Sequence, residues 1–265
     1  MPDRERLLRI IVHAGFHKTG TTTVQQLLRH NATVLRPRVM LGLKPKLRPI
    51  LSAARGYSTW GDPLTLMKFG HRVGVYLRQV PLGPYRALCL SCEELCGHMP
   101  GRDAVPDYSH AADLMHEFAE VAMAVHGPAL ELTFYFSCRN PANWLRSAWA
   151  EHVKATRLTL DFAAFASRYA AAADLDAVVA QIRARLAPHR VLSARLEQCA
   201  AQPLGPAQPL IDLLPLPPVK RAALQAVAPA NPSPAPEVLA ALLVLNRSDR
   251  SAGAVALAKQ AILAG

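Results

Sequence analysis

No stretch of the 265 residues runs for about 20 apolar positions without interruption, so no segment reads as a membrane-crossing helix. The first fifteen residues, MPDRERLLRIIVHAG, contain acids and only a short apolar run, which argues against a secretory signal. A cytoplasmic protein is the expectation. Cysteine is scarce. Cys89, Cys92, Cys96, Cys138 and Cys199 are odd in number and lack framework spacing, so they read as free thiols. Cys89, Cys92 and Cys96 lie close together, but no Cys/His pair follows at finger-like spacing, and no metal is expected. No basic motif interleaved with aromatics appears, so no nucleic-acid partner is expected. There is no internal repeat, and nothing specifies an oligomeric state.

What is present is a long apolar fraction, 51% of the chain. A chain of this length can bury about three quarters of its unfolded surface. A single domain over residues 1–265 is expected, with a core at 8–200, a proline-rich segment at 201–236 and a helical tail at 237–265. Ten of the 22 prolines lie between 203 and 236, a stretch suited to a linker or a loop wrapped over the core. The net charge is +11, unevenly spread: residues 1–60 hold eleven Lys/Arg against two Asp/Glu. That surplus suits an anionic ligand, or serves only solubility.

Apolar runs at Arg9–Ala14, Ala87–Ser91, Glu131–Ser137 and Arg190–Ala194 read as strands. Helical patterns cover 21–30, 109–126, 141–154, 160–169 and 175–186, with one more around 63–79 in an otherwise irregular 31–85. Alternating strands and helices predict an α/β fold, three layers with a central parallel sheet.

Between the first strand and its helix lies Gly15-Phe-His-Lys-Thr-Gly-Thr-Thr22. Gly15 and Gly20 have the spacing of an ATP-binding loop, G-x-x-x-x-G-K-[ST], but Thr21 stands where the lysine belongs and the lysine is Lys18. Gly20 allows close approach of an anion, and the helix after it offers free N–H groups and a positive dipole end. Thr21, Thr22 and Thr23 add hydroxyls. The clearest strand ends Ser137-Cys138-Arg139, which is basic, so no acidic partner for magnesium is evident there. A second segment, Arg139-Asn-Pro-Ala-Asn-Trp-Leu-Arg-Ser147, follows that strand and opens a helix.

The stretch HAGFHKTGTTTVQQLL resembles the 5′-phosphosulfate loop of sulfotransferases that use 3′-phosphoadenosine 5′-phosphosulfate (PAPS), and R-x-P-x-x-x-x-x-S resembles that family's 3′-phosphate segment. The resemblance covers Arg9 to about Lys154. It implies a P-loop-type sulfotransferase fold, PAPS as co-substrate, 3′-phosphoadenosine 5′-phosphate (PAP) as product, and no metal. Lys18, Thr19, Gly20, Thr21, Thr22 and Thr23 would hold the 5′ side of the cofactor, and Arg139 and Ser147 the 3′-phosphate. Lys18 would neutralise charge on the leaving phosphate. The Ser91-Cys92-Glu93-Glu94 segment resembles the S-S-E segment of bacterial relatives, which makes Glu93 the first candidate base, with Glu94 and His17 beside it. His17 could instead contact the sulfuryl oxygens. His13 reads as a packed core histidine, and His98 and His152 carry little support. Trp144 and Trp149 read as core residues that could touch adenine. An acceptor, a small molecule or glycan, would be lined by Arg55, Tyr57, Trp60 and His71. The Arg-Lys-Gly segment of many cytosolic members is absent, with Arg247 and Arg250 as substitutes without motif support. A P-loop kinase, a polyanion-binding protein without catalysis, and a sulfotransferase that binds cofactor without turnover are the rival readings.

Overall fold

The computed structural model describes residues 8–83, 85–230 and 233–264. In chain order it contains β1 (Arg9–His13), α1 (Thr21–His30), α2 (Ala32–Leu35), β2 (Val39–Leu43), α3 (Lys44–Trp60), α4 (Pro63–Gln79) and β3 (Ala87–Ser91). Then come α5 (Ala111–His126), β4 (Glu131–Cys138), α6 (Pro141–Ala155), α7 (Phe162–Arg168), α8 (Leu175–Leu186) and β5 (Arg190–Arg195). The C-terminal part holds α9 (Leu196–Cys199), α10 (Gln208–Leu213), α11 (Pro218–Ala222), α12 (Pro236–Arg247) and α13 (Ala252–Ala264).

The strands form one parallel five-stranded sheet in the order β2-β3-β1-β4-β5. Both faces are buried, which explains why β1 and β3 read as continuous apolar runs rather than alternating ones. Ile10, Val12, Leu88, Leu90, Phe134 and Phe136 point to the larger core, under α3, α4, α5 and α8. Ile11, Cys89 and Tyr135 point to the other face, where α1 contributes Val24, Leu27 and Leu28. The sheet is therefore the middle of three layers.

β2 and α3, with the four-residue α2, correct the irregular reading of residues 31–62. β2 is only five residues long, and Gly42 interrupts its apolar pattern. A side chain there has no room: a Cβ would lie 2.3 Å from Leu90 and 2.5 Å from the Tyr76 hydroxyl. α3 carries Pro45 and Pro49, which disguise a 17-residue helix. Pro45 falls in the first turn, where an N–H has no helical partner, and Pro49 removes only the bond back to Pro45. The helix forms because Leu47, Ile50, Leu51, Ala54 and Tyr57 bury one face.

The proline-rich segment takes the second of its two expected forms. It wraps the α1 face as short helices, and Leu210, Ile211, Leu214 and Leu216 pack on α1's apolar side. α12 then packs on α6 through Leu239 and Leu242 against Ala150 and Val153. No described helix is long and apolar enough to cross a membrane.

This strand order creates one topological switch. The chain leaves β1 toward β2 at one edge and leaves β4 toward β5 at the other. The crevice beyond the carboxyl ends of neighbouring β1 and β4 is the ligand position such sheets favour. Both singled-out segments, residues 14–20 and 139–147, start there.

Candidate functional site

The glycine loop grows out of the β1–β4 ladder. Ala14 N donates to Tyr135 O at 3.2 Å and Phe16 N to Ser137 O at 3.4 Å, so backbone pairing outlasts the strand. A buried polar chain then fixes the turn. Thr19 Oγ1 donates to Phe16 O at 2.5 Å, so its oxygen accepts from Ser137 Oγ at 2.8 Å. Ser137 in turn accepts from His13 Nε2 at 3.2 Å, which leaves His13 Nδ1 to accept from Ser91 Oγ at 2.8 Å. Every proton has one place, and the imidazole is neutral. Burial holds His13 down at about 4, with Glu93 opposing. His13 is thus the core histidine expected, joining β3, β1 and β4.

Gly15 is required by contact: a Cβ would sit 2.5 Å from Ser137 Oγ. Gly20 is required by conformation, at φ +89°, and it precedes α1 directly. Lys18 adopts a left-handed φ of 66° without being glycine. α1 begins with no side-chain cap and no acid in its first turn. Its first N–H groups have no helical acceptor.

The threonines divide. Thr22 is exposed, while Thr21 is buried. Thr19 is spent on the inner chain. Thr23 Oγ1 accepts from Ala230 N at 3.0 Å, so its hydroxyl faces the proline-rich cover. Only Thr22 and the backbone amides are open to a ligand without rearrangement.

His17 and Lys18 are held from distant segments. His17 N donates to the Tyr108 hydroxyl at 3.2 Å, and that hydroxyl lies 3.1 Å from His17 Nδ1. Burial pushes the Tyr108 phenol well above its ordinary value, so it keeps its proton and donates to Nδ1. His17 then carries its own proton on Nε2. Burial, against Glu93 and Glu94, holds it at about 4. Trp144 Nε1 donates to His17 O at 2.9 Å, which makes that indole a brace for the loop. Lys18 Nζ donates to Glu151 Oε2 at 3.0 Å. Glu151 also takes Lys154 at 2.9 Å and Arg102 at 3.6 Å. Burial pushes the Glu151 carboxyl up, but Lys154 and Lys18 outweigh it and hold it down at about 2.

The two glutamates of the β3 end part company. Glu94 is buried and paired with both Lys44 and Arg55. Burial raises its carboxyl, and the two cations carry it below the usual range. It clamps α3 to the β3 end. Glu93 is half-buried, accepts from Gln25 Nε2 of α1 at 2.9 Å, and acts electrostatically on both His13 and His17. Glu93 and His17 are thereby grouped, while the Lys18 ammonium points to Glu151 of α6.

Arg139 and Ser147 lie on the other side of the crevice. Arg139 Nη1 donates to Lys18 O at 2.9 Å, which ties the second segment to the loop. Its Nε is buried without a hydrogen-bond partner, with Glu197 3.9 Å away. Glu197 accepts from Asn140 N at 3.2 Å and Asn143 Nδ2 at 2.9 Å, and braces the start of α6. Ser147 is buried one turn beyond Asn143 on the same helix face.

The expected acceptor residues do not converge. Arg55 is held by Glu94, Tyr57 is buried and donates to Asp113, and Trp60 and His71 are exposed. Arg247 donates to Thr159 O at 2.8 Å, and Arg250 is exposed. Trp149 Nε1 donates to Leu160 O at 3.0 Å, His98 pairs with Asp103 at 3.0 Å, and His152 is bound to Pro100 O at 2.8 Å. Tyr108, Glu151 and Glu197 were not expected from sequence, because none belongs to a spaced motif, and Gln25, though inside the quoted loop stretch, was given no role.

No family model, curated protein or solved structure matches the chain.

Proposed function

We propose that this protein transfers a sulfuryl group from PAPS to a hydroxyl or amine of a small molecule or glycan, on a P-loop-type sulfotransferase fold. The observation that carries the reading is the pairing of two anion-competent segments at one crevice. The uncapped α1 N-terminus with Lys18 follows β1, and Arg139, whose buried Nε lacks a hydrogen bond and has only Glu197 at 3.9 Å, follows β4 and bonds to the Lys18 carbonyl. A nucleotide with separate 5′ and 3′ phosphates is the ligand such a pair fits.

The co-substrate supplies an activated sulfuryl group. The chain supplies placement and charge. Amides at the start of α1 and the Thr22 hydroxyl hold the 5′-phosphate, and Arg139 with Ser147 holds the 3′-phosphate. The His17 Nε2–H donates to a sulfuryl oxygen. With its imidazole held neutral down to about pH 4, His17 suits a donor better than a base. Glu93, oriented by Gln25, takes the acceptor's proton as the acceptor oxygen or nitrogen bonds to sulfur. The bond from sulfur to the 5′-phosphate oxygen breaks, and Lys18 stabilises the charge that gathers there.

Calorimetry without magnesium tests this reading. PAP should bind in the micromolar range, and ATP should not gain affinity when magnesium is added. Magnesium-dependent ATP binding with no response to PAP would put a kinase first. Salt-sensitive heparin binding with no response to PAP would favour a polyanion-binding protein.

A further inference from the structure

A cavity of about 280 Å³ opens at the β2 edge of the sheet, away from the crevice. We propose that it binds a small anion with an apolar body, of the medium-chain or aryl carboxylate class. The proposal does not rest on the sulfuryl-transfer reading.

β2 contributes Val39, Met40 and Leu41 to its lining, Val39 and Leu41 from the α1 side of the sheet and Met40 from the other. Its rim carries three cations from three separate segments: Arg29 at the end of α1, Arg36 after α2, and Lys46 in the first turn of α3. No acid lines it. The sequence has no Asp or Glu from Arg6 to Gly61, so no local partner competes for these cations. In that stretch Lys18 is engaged by Glu151, Lys44 and Arg55 by Glu94, and Arg9 by Glu131, while, among the described residues, Arg38 and Arg48 are unpaired but do not line the cavity. Among the described residues, the side chains of Arg29, Arg36 and Lys46 make no hydrogen bond or ion pair.

Each half of the lining excludes one kind of ligand. The apolar side chains add nothing for a bare phosphate, whose gain would come from the cations alone. The three cations give an uncharged apolar molecule no added gain over any other greasy patch. An anionic head on an apolar body satisfies both. At about 30 Å³ per small group, the cavity takes roughly nine non-hydrogen atoms. β3 separates β2 from β1, so the strand that lines the cavity lies roughly 10 Å from the one that carries the glycine loop. The cavity is thus a separate site.

The test is a titration followed by ¹³C-methyl signals of the six methionines, one of which is Met40 in the cavity lining. Octanoate should shift the Met40 signal saturably. Octan-1-ol and inorganic phosphate should each bind at least tenfold more weakly. Arg36→Glu and Lys46→Glu change exposed side chains, and each should weaken octanoate at least tenfold without altering PAP binding. No shift at Met40 would overturn the proposal. So would octanol binding as tightly as octanoate, the mark of an apolar docking patch, or phosphate doing so, the mark of a plain anion site. Undiminished octanoate binding in both charge-reversed variants would overturn it as well.

Discussion

At the residue scale, the buried chain from Ser91 through His13, Ser137 and Thr19 to Phe16 decides how the loop is held. It works with a neutral imidazole, and the consequence can be signed. The folded-state value of His13, about 4, lies below its ordinary 6.5, so the unfolded chain takes up a proton first as pH falls. This contribution is fully present above pH 6.5 and declines until pH 4. Denaturant titrations at pH 7 and pH 5 should differ by about 2 kcal/mol from His13 alone, with His17 acting in the same direction. A flat profile between those pH values would contradict a buried neutral His13. Glu93→Gln keeps the Gln25 contact's shape but cannot accept a proton. It should lower turnover by about 10²–10⁴ while leaving PAP affinity within a factor of a few. Equal loss in Glu94→Gln and Glu93→Gln would deny Glu93 a distinct role. Lys18 and Gly20 were legible from the spacing of the glycine loop, and Arg139 and Glu93 from the resemblance of their segments to sulfotransferase motifs. Glu151, Tyr108, Gln25 and Glu197 were not, because each reaches the site across 57 or more residues and the fold alone brings it there.

At the element scale, legibility followed the source of each element's stability. α1, β3 and α8 carry their own pattern, and their expected bounds are those observed. β2 and α3 depend on neighbours. β2 is an edge strand with one pairing partner, and α3 is stabilised by burial of one face despite two prolines. The proline-rich segment follows the same logic. Its short helices have little intrinsic stability and are fixed by Leu210 and Ile211, both fully buried against α1. Leu210→Ala should therefore cost about 2–4 kcal/mol and loosen the cover over Thr23. A change below about 0.5 kcal/mol in chemical denaturation would show that this segment is a loose linker after all.

At the scale of the whole molecule, one sheet with one switch point keeps the two proposed sites apart. The crevice at β1 and β4 gathers the loop and Arg139, while the β2 edge carries unpaired cations beside an apolar lining. Of the basic residues among the first 60, Lys18 belongs to the glycine loop and Arg29, Arg36 and Lys46 to the β2 edge, a placement that composition alone did not reveal. PAP at about 100 times its dissociation constant should raise the melting temperature by roughly 5–10 °C, and octanoate at similar saturation should add to that shift. Strict competition between the two in melting experiments would place both ligands at one site.

The paired-anion crevice is tested most directly by comparing PAP with AMP, which lacks the 3′-phosphate, on wild type, Arg139→Ala and Lys18→Ala. The wild type should prefer PAP by at least tenfold. Arg139→Ala should erase that preference with little effect on AMP, and Lys18→Ala should weaken both nucleotides while keeping the preference. Equal binding of PAP and AMP by the wild type would contradict the second anion site, and with it the assignment of PAPS.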